Sequence, residues 1–388
     1  MVEIADIRDR ESLEAWLEDQ PRETAISIAC RAAARVLPVW WEVVLTEEWA
    51  RRSDLTALPI LRSLIISWVA ANGATEETGR VARVARVGRL AAGSAANIVA
   101  YAANTDEATP NVPDVFAAAN AADAAVGAAA EAAAYNGHTS TAASAAALAH
   151  ASAGEAVHSD CATLTTGESL TRTPLWHDRP NPLQERWDAV TARLRDDPPP
   201  GGPWDFWRDW YQGLLDGTPM DPDLLTRIAL IAPEHWDAGP ERVNPMIHDM
   251  RELFELREEA GALRAEKEAL LVRTGSERQR SHNQPPELLD TEPELARQIT
   301  IVWNGLDEAE AELAKEKPDG GRLAEIARSL LSALTAVGRY LVSLGDTALK
   351  AGATAAGTAG GVWIVDHSFN SGRIWDFATR LLNFAGGG

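Results

Sequence analysis

The chain has 388 residues and a formal net charge of −21, enough length for two or three cores and the wrong sign to hold nucleic-acid phosphate over its whole surface. Its two cysteines, Cys30 and Cys161, exclude a disulfide framework and a Cys-x-x-Cys metal site. Met1–Gln20 has neither a basic leader nor an apolar h-region, so a cytoplasmic location is expected rather than secretion.

Strand signals are scarce and Ala, Leu, Glu and Arg dominate, which predicts an all-α protein of several helical modules. Residues 1–157 read as an Ala-rich helical bundle. Within it Arg22–Arg52 predicts one or two buried helices, with Pro38 starting a turn that carries Trp40, Trp41 and Trp49. Leu55–Ala71 is apolar but short and holds Pro59 and Arg62, which suits a core helix better than a membrane span. From Val81 to Gly154 alanine is so frequent that helices there can pack only by close backbone approach. Arg80, Arg83, Arg86 and Arg89 form an oblique stripe, read as a solvated face against the acidic body.

Residues 158–203 read as loop and linker with a short helix, closed by the Pro/Gly run Asp196–Pro203. A Trp-rich helical module, 204–275, follows. Trp204, Trp207, Tyr211 and Leu214 recur on one helical face, Asp221-Pro222 reads as a cap with proline at the first helical position, and Gly239-Pro240 opens a long charged helix. Residues 276–350 predict an antiparallel helical hairpin. Leu295, Ile299, Val302, Leu306, Ala309 and Leu313 step 4-3-4-3-4, and a second such series runs from Leu323 to Ala348 past the Lys317–Gly321 turn.

Residues that could carry chemistry are few. His158-Ser159-Asp160-Cys161 holds the residue types of a nucleophile site, but four consecutive side chains point in different directions, and no Gly-x-Ser-x-Gly elbow is near. The stretch Glu155–Pro174 reads as a loop. His138, His150 and His158 match no zinc spacing, and phosphate-cradling glycine loops are missing. The Trp204, Trp207, Trp210 and Tyr211 group reads as core, with Trp236 packed on it. No catalytic residue, cofactor or metal is therefore assigned, and no enzyme activity is expected.

The last segment, 351–388, points to association instead. Fifteen uncharged residues, Ala351–Val365, lie between Lys350 and Asp366, too short and too poor in large apolar groups to span a bilayer alone. Gly352, Ala356 and Gly360 form a small-residue ridge flanked by Ala355 and Ala359, the pattern that lets helices approach closely. Trp363, Phe369, Arg373, Trp375, Phe377 and Arg380 then resemble an interfacial anchor. From Arg322 onward six basic residues face four acidic ones, a net of +2, leaving −23 on the remainder; such a tail suits docking on the acidic body or on anionic lipid.

Three segments carry a resemblance: Gln20-Pro21-Arg22-Glu23-Thr24-Ala25, the Trp207-x-x-Trp210-Tyr211 to Trp236-x-x-Gly239-Pro240 unit, and Ser281-His282-Asn283-Gln284-Pro285-Pro286-Glu287. Together they resemble modular bacterial proteins with a His-Asn-x-Pro-Pro-Glu signature, in which Gly more often stands where Ser281 is here. That group has no established activity, so the resemblance implies no site residues, only a link to mobile-element or antiphage defence settings. Residue by residue, the His282 loop is explained as a joint, with Pro286 at the start of the next helix and Glu287 near its positive end.

The expectation is a non-enzymatic, self-assembling protein whose C-terminal segment engages membrane or partner helices, as in a defence or stress effector. A homo-oligomer, at most peripheral to the inner membrane and without nucleic-acid partners, follows. The alternative is a soluble helical scaffold, adaptor or regulator with the same segment buried against the hairpin.

Overall fold

The structure is a computed structural model that describes residues 4, 7, 15–16, 19–46, 57–72, 156–199, 201–280, 293–343, 363–364, 367–368 and 371–386. It is all-α, with no strand among the described residues. The helices are α1 (Arg22–Thr46), α2 (Leu58–Ala71), α3 (Ala156–Thr165), α4 (Gln184–Asp196), α5 (Asp205–Asp216), α6 (Pro222–Ala229), α7 (Pro233–Asp237), α8 (Pro240–Arg280), α9 (Pro293–Leu313), α10 (Gly320–Ser343) and α11 (Arg373–Gly386). They form two compact units, Met1–His248 and Asp249–Gly388, so the line between units falls inside α8 rather than in the Pro/Gly run.

In the first unit α1 is central and packs on α2, α3 and α4. It runs straight through Pro38, where a turn was expected. Proline has no N–H, so the carbonyl four residues back, on Ala34, loses its helical donor. The Tyr211 hydroxyl, buried on α5, donates to that carbonyl at 3.1 Å. α2 is a core helix with Pro59 in its first turn, and Arg62 is buried with its guanidinium 5.1 Å from the centre of the Trp236 ring. Trp187 packs on both Trp41 and Tyr211, and Trp207 on Phe206, Trp210 and Trp236.

The expected linker is packed within this unit. Trp204 Nε1 donates to the Pro199 carbonyl, and Asn244 bridges it to α5 by donating to the Gly201 carbonyl and accepting from Trp207 Nε1. α6 starts as its sequence implies: the Asp221 carboxylate accepts from the Asp223 and Leu224 amides, with Pro222 first in the helix.

In the second unit α9 and α10 pack along each other, with Gly305 against Leu330 and Arg322 paired to Glu308, an antiparallel pairing. The series members from Leu295 to Leu313 and from Leu323 to Val337 are buried. The later part of α8, assigned from sequence to the Trp-rich module, joins them: Leu256, Ala260 and Leu263 enter the same core. Arg264 and Lys267 of α8 pair with Glu310 and Asp307 of α9. α11 lies on α10 and completes a four-helix arrangement.

Candidate functional site

Among the described residues of the first unit, chemically active side chains converge around α1. Arg31 and Arg35 are four apart, hence on one helical face, and both reach Asp160 of α3. Arg31 Nε donates to Asp160 Oδ1 at 3.1 Å and Arg35 Nη2 to the same oxygen at 2.8 Å. All three side chains are buried. The surplus positive charge is answered by carbonyls: Arg31 donates to those of Leu170, Thr173 and Pro174, and Arg35 to that of Leu175. Burial would raise the Asp160 carboxyl; the Arg35 and Arg31 guanidiniums outweigh it and hold it below the usual carboxylate range. Burial likewise lowers Arg31, opposed by Asp160.

Those carbonyls belong to the segment after α3, so the arginines hold that segment in place. A further clamp comes from α5, where the Leu214 carbonyl accepts from Leu175 N–H at 3.0 Å. Gly217, at φ +71°, ends α5 where any side chain would strike Pro174. The consequence is the position of His177. Its Nε2 lies 2.8 Å from Ser159 Oγ and 3.1 Å from Thr163 Oγ1, and its Nδ1 is 3.9 Å from Asp160 Oδ1.

Residues 156–165 are therefore a helix where a loop was expected. Ser159 and Asp160 do diverge as neighbours, but His177 bridges them from outside the four-residue run. Sequence reasoning passed over His177, and no local signal marks it. Cys161 takes no part: burial, with Asp160 adding to it, pushes its thiol up to about 12, and burial does the same for Cys30. Among the described residues no group of three or more His, Cys, Asp or Glu could hold a metal.

The association residues of the sequence divide in two. Gly352, Ala355, Ala356, Ala359 and Gly360 lie outside the described residues, as do Phe369, the His282 loop, the Arg80–Arg89 stripe, His138 and His150. Of the rest of the anchor group, Trp363 and Phe377 turn inward in the second unit. Trp363 is buried and stacks between Trp303 and His367, with ring centres 5.4 and 4.4 Å away. Phe377 is buried with Ile374, Ala378 and Leu381 on one face of α11.

Arg373 pairs with Glu259 and Glu266, and Arg380 with Glu252 and Glu255, all four carboxylates on α8. Burial would raise Glu266, but Arg373 and His367 outweigh it and lower it. Trp375 is exposed, and the Arg373 and Arg380 side chains stay partly exposed beside their glutamates. No helix of the described residues is long and apolar enough to cross a membrane.

No protein-family model matches this chain, and no curated protein or solved structure does either.

Proposed function

We propose that the chain is a helical scaffold or adaptor whose C-terminal helix is spent on its own second unit rather than on lipid. The observation that supports this is the disposition of α11: its apolar face is buried on α10, and both of its arginines are paired with glutamates of α8. An interfacial anchor presents aromatic and basic groups to the headgroups together; here Phe377, Arg373 and Arg380 are committed within the fold.

Flotation of the full chain with vesicles of mixed neutral and anionic phospholipid tests the reading. The chain is expected to stay below the vesicles, with amide protection over residues 373–386 unchanged by lipid. Flotation that disappears in an R373E/R380E variant would favour the anchor instead.

Self-association through the Gly352–Gly360 ridge is a second reading, favoured by one observation. Val342 and Trp375, the two exposed large hydrophobics among the described residues, flank that ridge in sequence. Light scattering of the full chain and of a G352L/G360L variant decides it: a larger species lost on substitution supports association, and a monomer in both removes it.

A further inference from the structure

We propose that Ser159 is an activated hydroxyl that accepts an acyl group from an activated ester, with His177 as its base and Asp160 as the group that orients the base. The reading stands on the first unit alone and is independent of the scaffold proposal.

Two of the contacts that such a site needs are present, nucleophile to base and base to carboxylate. Nucleophile and base are in contact at 2.8 Å. The other ring nitrogen, His177 Nδ1, is buried and has no hydrogen-bond partner, and Asp160 Oδ1 is 3.9 Å from it. That distance exceeds a hydrogen bond, as base–carboxylate contacts often do before substrate binds. Orphaned buried nitrogens are uncommon and call for a reason; an ionised carboxylate facing Nδ1 is one. It favours the tautomer with the proton on Nδ1, leaving Nε2 to accept from the hydroxyls. Thr163 shares its hydroxyl between Nε2 and the Ser159 carbonyl, 3.0 Å away, so Ser159 is the hydroxyl with no second acceptor among the described residues.

The buried carboxylate also cannot wander. Two guanidiniums hold Oδ1, and Arg35 Nη1 lies 2.8 Å from Oδ2 as an ion pair without hydrogen-bond alignment. The base is thus set by a rigid interior while its side chain keeps 18% exposure to solvent.

In the transfer, Ser159 Oγ attacks the ester carbonyl carbon and its proton passes to Nε2. The bond from that carbon to the leaving oxygen breaks, and Nε2 returns the proton to the departing alcohol. The product is acylated Ser159 with His177 restored, and no oxidant or further reactant is consumed. Asp160 steadies the imidazolium formed in passing.

The test is labelling of the full chain with a fluorophosphonate, followed by peptide mapping. An adduct on Ser159 is expected in the native chain and not in urea. H177Q is expected to slow labelling by about 100-fold or more with its thermal unfolding unchanged, and S159A to abolish it. Lack of an adduct on Ser159 in the native chain overturns the proposal, as does labelling that survives urea or proceeds in folded H177Q at the wild-type rate. Should H177Q fail to fold, the native and urea maps of the wild-type chain still decide.

Discussion

Asp160 shows how one carboxylate organises a core. Removing it would strand two buried guanidiniums, and an uncompensated buried charge costs on the order of 3–5 kcal/mol. D160N is therefore expected to lower the urea midpoint of the first unit markedly, as read by tryptophan fluorescence. The pH dependence has a definite sign. The native carboxyl is held below its ordinary 3.8, so its contribution is complete above that value and fades as pH falls through the lower native one. Acid titration of the wild-type chain should lose this increment below about pH 4, and D160N should show none of it. Tyr211 offers a smaller effect: Y211F leaves the Ala34 carbonyl without its donor, expected to cost about 1–3 kcal/mol in chemical denaturation.

Among the elements, the α9–α10 crossing depends on a missing side chain. A Cβ on Gly305 would lie 2.7 Å from Leu330 Cδ2, so G305V is expected to destabilise the second unit by about 1–3 kcal/mol in thermal unfolding through overpacking. The four Arg–Glu contacts of α11 are partly exposed, where each such pair is worth at most about 1 kcal/mol. The buried apolar face thus holds the helix and the pairs choose its orientation. Raising salt should leave α11 docked, whereas F377D should expose residues 373–386 to amide exchange.

For the molecule as a whole, charge is the property that sequence expresses most directly. At −21 the chain is expected to leave the mobility of duplex DNA unchanged at 0.15 M salt; a shift in gel mobility would mean that a local basic patch outweighs the body. The all-α class was legible for a related reason: Leu256, Leu306 and Leu330 follow helical periods that any reader of the chain can count. The polar cluster was not. Arg31 reaches Asp160 across 129 positions, and His177 meets Ser159 only because remote arginines shape the loop between them. Periodicity reports which face a helix buries; it carries no information about which distant side chains meet there. The anchor residues illustrate the same limit, since an aromatic and basic helix face has one spelling whether it meets lipid or a bed of glutamates.

The proline within α1 makes the continuity of that helix conditional. Excised from its surroundings, the stretch from Arg22 to Thr46 would keep a gap in its ladder at Ala34, with only water to fill it. The splint is a phenol encoded 177 positions downstream, so a chain still emerging from its ribosome cannot complete its own central rod until most of the first unit has been made.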